Sequence, residues 1–244
     1  GIVKIADFFA NTEKVREFER LARKFQKDGI VGSVTFNTPD GMKRVIEIAR
    51  DQFRKGQGDG GGTYSHSRFS PSFIQAQIAG LQTGTTFSVE VRDPQGEVIG
   101  GCFGMLKDGI VYSDSISYPK IFKWKKDQKG NLVTDQNGQR IPLYESNKDG
   151  TLKRDEEGNP VQSTFGIEVA KIGKYFLFQK LLKAGFLIQD SVMVSAFTES
   201  VGGNYVSSEE FFSYVKSAKE RNVDLRIVDW SPVTSMPEPR KAEG

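Results

Sequence analysis

Apolar residues recur at helical spacing over 11–28, where Val15, Phe18, Leu21, Ala22 and Phe25 share one face. Lys14, Arg16, Arg20, Arg23, Lys24 and Lys27 fill the remainder, so the spacing predicts an amphipathic helix with a basic side. That side either touches phosphates or is a solvated helix surface. Asp28-Gly29 ends the helix, and 31–36 reads as a strand. Thr38-Pro39-Asp40 opens a second helix with Val45, Ile46 and Ala49 inward. Ser70-Pro71 opens a third that runs to Leu81, its proline in the favoured first turn. Between them lies a glycine-rich loop, 56–62, without the Gly-Lys-Ser/Thr ending of a P-loop.

Three strand patterns follow at 86–92, 98–106 and 110–117. Asp93-Pro94-Gln95-Gly96 and Lys107-Asp108-Gly109 separate them as turns, which predicts an antiparallel meander. Over 119–163 the character changes. Turn signals at Asp127, Asp135, Asn147 and Asp155, each followed by a glycine, predict one or two exposed hairpins projecting from the main body. The aspartates lack the full ligand spacing of an EF-hand, so turn chemistry is the better reading. The longest apolar-periodic stretch, 165–184, predicts a helix closed by Ala184-Gly185. Short strands are expected at 186–188, 192–197 and 225–230, and a helix from Ser207-Ser208-Glu209-Glu210 carries Phe211, Phe212 and Val215 inward. The tail after Pro232 is expected to be mobile. No internal repeat is visible. Helices on a mixed, largely antiparallel sheet, an α+β architecture, fit this order better than a doubly wound sheet does.

Composition narrows the picture slightly. A 244-residue chain with 37% hydrophobic and 27% charged residues suits one sizeable core or a domain with an appendage. The net charge of +3 permits a polyanionic partner without requiring one. No window approaches the ~18 apolar residues of a membrane span. The first ten residues lack the features of a secretory signal. Cys102 is the single cysteine, which rules out an intrachain disulfide and reads as a small buried hydrophobe. With His66 as the single histidine, a Cys/His zinc site is unsupported.

Seven short motifs occur in one order. They are Gly62-Thr63-Tyr64-Ser65-His66; Gly84 to Val91; Gly100-Gly101-Cys102-Phe103-Gly104; Tyr112-Ser113-Asp114-Ser115; Ala170-Lys171; Leu187-Ile188-Gln189-Asp190; and Thr198-Glu199-Ser200-Val201-Gly202. This order resembles the bacterial leucyl/phenylalanyl-tRNA–protein transferases. That family shows Gly-Thr-Trp-Ile-Thr, His-Ser-Val-Glu-Val-Trp, Gly-Gly-x-Tyr-Gly, Gly-Glu-Ser-Met-Phe-Ser, Ser-Lys, Leu-Ile-Asp-x-Gln and Thr-x-x-Ser-x-Gly. The strand residues Val34-Thr35-Phe36-Asn37 also resemble its Val-Thr-x-Asn, and the likeness spans about 34–215.

The resemblance implies a Gcn5-related acyltransferase fold over 34–230, with inserted hairpins at 119–163, preceded by a helical segment at 1–33. It implies transfer of Leu or Phe from an aminoacyl-tRNA to a protein or peptide N-terminus bearing Arg or Lys, without a cofactor and away from membranes; that donor, together with the absent signal, implies a cytoplasmic location. Asp190 matches the family's catalytic Asp, and Asp114 the acid of Gly-Glu-Ser, one methylene shorter. Tyr64 matches the Trp of Gly-Thr-Trp, and Val111, Leu177 and Leu181 fall where an apolar donor pocket is expected. Ser88, Glu90 and Ser200 match motif positions, Glu90 also reading as a structural anchor. The chain departs from the pattern at Val192, which stands in the place of the family's Gln, and in its amino-terminal part, where the Phe-Pro-Trp, Trp-Trp-Ser-Pro and His-x-Ser-Arg elements are missing. The insertion has no family counterpart; Lys120, Lys123, Trp124, Lys125, Lys126 and Lys129 in it suit RNA contact or plain solvation. The alternatives are an acyltransferase with a thioester donor, for which no pyrophosphate loop is evident, and a non-catalytic binding protein of the same fold.

Overall fold

A computed structural model describes 1–54, 69–107, 109–117, 121–122, 125, 127, 133–139, 141–155, 157–161, 164–165, 167–191, 195–221 and 223–238. The chain divides into two compact units, one formed by Gly1–Pro119 with Ile167–Gly244 and the other by Lys120–Gly166.

In the larger unit β1 (Ile2–Lys4), α1 (Ile5–Ala10) and α2 (Thr12–Lys27) lead to β2 (Ser33–Phe36). Next come α3 (Pro39–Arg54), α4 (Pro71–Thr83), β3 (Thr86–Arg92), β4 (Val98–Lys107) and β5 (Ile110–Ser117). In the smaller unit the paired strands are β6 (Ile121–Phe122) and β7 (Thr164–Phe165). The larger unit resumes with α5 (Ile167–Lys183), β8 (Ile188–Asp190), α6 (Ala196–Ser200), β9 (Gly203–Asn204) and α7 (Ser208–Arg221). One sheet runs in the order β2-β3-β4-β5-β8-β1-β9, and each neighbouring pair is antiparallel except β5 with β8. The expected mixed, largely antiparallel α+β architecture is therefore present.

Glycines show which helix covers which face. A Cβ on Gly41 of α3 would meet Glu90, and one on Gly80 of α4 would meet Thr86. A Cβ on Gly173 of α5 would instead meet Val91 and Val89. Alternation along β3 thus turns Thr86, Ser88 and Glu90 toward α3 and α4, and Val89 and Val91 toward α5. Residues 86–91 are buried throughout for that reason. Local chemistry fixes the ends: the Asn11 side chain caps α2 through the Lys14 N–H, and Ser70 caps α4 through the Phe73 N–H. Asp93 Oδ1 accepts the N–H groups of Gln95 and Glu97 and makes the predicted turn between β3 and β4.

Several expectations are corrected. The N-terminal segment supplies a strand as well as helices, because Ile2 and Val3 are buried and pair with Asp190 and Gln189. The strand expected at 186–188 lies at Ile188–Asp190, since Gly185 holds φ at 88° and turns the chain first. Where a strand was expected over 192–197, Ser195 caps the short helix α6, and 192–194 lie outside the described residues. The expected strand at 225–230 begins instead as a 3-10 turn, Leu225–Ile227, with Asp224 accepting the Arg226 N–H. The tail is docked as far as it is described. Val233 exchanges two backbone hydrogen bonds with Val34, Met236 is buried, and Arg23 donates to the Pro237 carbonyl.

The smaller unit contains a repeat that the residue pattern did not reveal. The N–H of Lys125 donates to Ile141, that of Ile141 to Val133, and that of Val133 back to Lys125, a closed ring of three backbone bonds. Glu145, Lys153 and Val161 close a second ring at the same eight-residue spacing. Between ring positions sit tight turns whose glycines, Gly138, Gly150 and Gly158, have φ of 76°, 85° and 84°. Asp135 and Asp155 each spend Oδ1 on two backbone N–H groups of their own turn, which is the turn chemistry expected of them.

Candidate active site

The only parallel pairing among the described strands joins β5 to β8, and it is brief. Val111 faces Gln189 and Tyr112 faces Asp190 in register. Beyond Tyr112, β5 runs on to Ser117 along β4. There the register slips: Gly104 pairs with Ser113 but Phe103 with Ser115, so Asp114 is the extra residue of a β-bulge. A bulge bends the strand that carries it. Asp114, placed here by its backbone, and Asp190 therefore lie on neighbouring strands at the carboxyl end of the seam.

Alternation separates the two residues at the end of β8. Ile188 packs with Ile2, Ile110 and Ala218, with Tyr112, Phe211 and Tyr214 against them, so Asp190 follows on the α7 face. Gln189 points the other way, under α5, and is 1% exposed. Asp190 keeps 15% of its side chain accessible.

Under the seam lies a polar cluster that the sequence reading missed. Lys174 of α5 is 1% exposed, and its Nζ donates to Gln189 Oε1 at 2.7 Å and to Ser113 Oγ at 3.0 Å. Gln189 Nε2 donates onward to Ser191 Oγ at 2.9 Å. The Lys174 ammonium also lies 5.6 Å from the centre of the Phe178 ring. Burial pulls the Lys174 pKa below the ordinary lysine value, partly opposed by Cys102. The Cys102 thiol is pushed up by its own burial, with Lys174 working against the shift and Glu90 adding to it. A thiol so buried is a poor nucleophile, in keeping with the core reading. The signal for Lys174 was available: a lysine interrupts the broadest apolar face of the chain between Ile172 and Tyr175.

Glu90 and Ser88 form a different cluster. The Glu90 carboxylate is fully buried and accepts from Ser88 Oγ, Thr35 Oγ1 at 2.6 Å, Thr38 Oγ1 at 3.0 Å and the Thr38 N–H at 3.3 Å. The Arg92 guanidinium stands 3.8 Å away. Asn37, at φ 55°, accepts the Ser88 N–H and donates its own N–H to the Ser88 carbonyl. This geometry anchors the β2–α3 turn to β3. Ser200 donates to the Phe197 carbonyl within its own short helix. Val111, Leu177 and Leu181 are fully buried core residues. Tyr64, His66 and Val192 lie outside the described residues, as do Lys120, Lys123, Trp124, Lys126 and Lys129.

Among the described residues no group of His, Cys, Asp and Glu is placed to hold a metal, and no helix is long and apolar enough to cross a membrane. No protein-family model and no curated protein matches this chain.

Proposed function

We propose that this protein is an aminoacyl-tRNA-dependent aminoacyltransferase that moves a Leu- or Phe-like residue to an amine, best a peptide or protein N-terminus beginning with Arg or Lys. The observation that carries the reading is the β5–β8 seam, two parallel strands paired at two positions with acid-bearing residues, 114 and 190, at its carboxyl end. Ligands settle in crevices outside the carboxyl ends of parallel strands. The motif order supports an aminoacyl-tRNA donor and a Gcn5-related fold.

The chemistry asks little of the protein. An aminoacyl ester is already activated, so the site must chiefly position the amine and manage its proton. The acceptor nitrogen attacks the ester carbonyl carbon and forms the C–N bond. The C–O bond to the ribose then breaks, and the departing hydroxyl takes up a proton. Asp190 receives the proton that the amine loses, and Asp114 holds the cationic side chain of the acceptor. A cytoplasmic location belongs to the same proposal.

The test supplies a mixture of labelled aminoacyl-tRNAs and a peptide beginning with Arg, and reads adducts by mass. A Leu, Phe or Met adduct supports the reading. No adduct with tight binding of charged tRNA means another acceptor; no adduct and no RNA binding overturns the donor and favours a thioester or a binding-only role.

A further inference from the structure

Lys174 reaches from α5 to both strands of the seam. Its amine bonds Ser113, the residue before Asp114, and Gln189, the residue before Asp190. Gln189 passes the connection to Ser191, the residue after Asp190. One buried amine thus ties together the side chains of the residues that precede both acid positions, and Gln189 extends the tie to the residue after Asp190. The described β5–β8 pairing spans two residue pairs, so backbone bonding alone fixes the opening weakly. Lys174 is 1% exposed, and the Phe178 ring beside its amine is fully buried, so the amine has no way out to water. A lysine costs more to bury than methionine or leucine in the same volume, and a packing role would not call for one.

We propose that Lys174 is a positioning residue of the transfer site, which ties β5 to β8 through Ser113 and Gln189 and so sets the spacing of Asp114 and Asp190. The inference rests on the transfer reading for its functional half, while the tie itself is read from geometry. Lys174 touches no substrate in this assignment; it acts through Gln189 and Ser113. Its burial-depressed pKa agrees with an amine that serves as a hydrogen-bond donor rather than as a solvated charge.

The experiment compares wild type with Lys174→Met, which keeps the bulk of the side chain and removes the donor. Ser113→Ala and Gln189→Met remove one acceptor each and serve if Lys174→Met fails to fold. Backbone hydrogen exchange is read on the full chain without substrate, and steady-state transfer from charged tRNA in parallel. In Lys174→Met, amide exchange is expected to rise about tenfold or more at 111–114 and 189–191, while β2 and β3 stay as in wild type. The kcat of transfer falls at least tenfold with the acceptor KM within twofold, and Lys174→Met adds nothing on top of Gln189→Met. A uniform rise in exchange across the sheet overturns the tie. Local loosening with unchanged kcat overturns the positioning role. A wild-type protein that transfers nothing overturns the transfer reading and the positioning role with it, whereas local loosening in that same protein still establishes the tie.

Discussion

Gly41 and Glu90 meet with no room for another carbon between them: a Cβ on Gly41 would overlap Glu90 Cδ and Thr38 Oγ1. Both neighbours belong to the buried cluster around the Glu90 carboxylate, so neither can withdraw without breaking a bond. Gly41→Ala is expected to destabilise the larger unit by about 2–3 kcal/mol, at the upper end of overpacking costs. Glu90→Gln keeps the shape but turns an amide N–H₂ toward groups that are themselves donors, and should cost about 2–4 kcal/mol. Urea unfolding midpoints measure both. A Glu90→Gln protein as stable as wild type would show that the carboxylate is not the anchor.

Lys174 makes stability depend on pH in a defined direction. Its folded pKa lies below the ordinary 10.5, because burial penalises the charged form. Between the depressed value and 10.5 the unfolded chain holds the extra proton, so stability rises with pH across that window. Below the folded value the cost of burying the charge is present in full. Cys102 and Glu90 are the titratable groups that share the environment, and Ser113 and Gln189 are the polar contacts. Unfolding curves at pH 6 to 10 should show wild type gaining stability relative to Lys174→Met as pH rises. Parallel curves would mean that Lys174 titrates alike folded and unfolded.

Residue pattern revealed the parts of this fold whose signal is repeated. Val15, Phe18, Ala22 and Phe25 recur over about three turns and mark α2 unambiguously, and Asp93 to Gly96 carries a turn whose side-chain bonds are entirely local. Short elements carry no such repetition. Ile2 to Lys4 becomes a central strand because β8 and β9 flank it, a fact that no window of three residues contains. The eight-residue period of the smaller unit escaped notice because only its turn residues recur, while the ring positions hold Lys125, Val133, Ile141, Glu145, Lys153 and Val161. Those rings close through backbone groups, which tolerate any side chain. Lys174 is hidden in the residue pattern for a related reason. Helical periodicity counts it as an interruption of the apolar face, and its partners lie far away in sequence on β5 and β8.

The docked tail covers an edge. β2 ends the sheet, and Val233 satisfies both outward backbone groups of Val34 at 2.8 Å. Gln26 binds the Thr234 carbonyl and the Met236 N–H, which holds the tail on α2. Removing everything after Pro232 loses these bonds and the burial of Met236, offset in part by chain entropy released. The expected loss is about 1–3 kcal/mol in thermal or urea unfolding. An open edge on β2 should also raise concentration-dependent association, read by light scattering. Unchanged stability would mean that the tail contributes nothing to the fold.

Asp190 and Gln189 are adjacent on one short strand, yet their side chains serve opposite faces, so substituting each has a different consequence. If Asp190 takes the proton of the acceptor amine, Asp190→Asn removes the base and leaves the strand's packing alone. Transfer should then fall about 10²–10⁴-fold, the usual contribution of a positioned proton acceptor, while affinity for charged tRNA persists. Gln189→Met, by contrast, acts through the Lys174 tie, so it should loosen exchange at the seam, which Asp190→Asn leaves as in wild type. Measuring rate, RNA affinity and exchange for both variants resolves the assignment. A full rate in Asp190→Asn would remove that carboxylate from the chemistry, and the acid on β5, Asp114, would be the next residue to substitute.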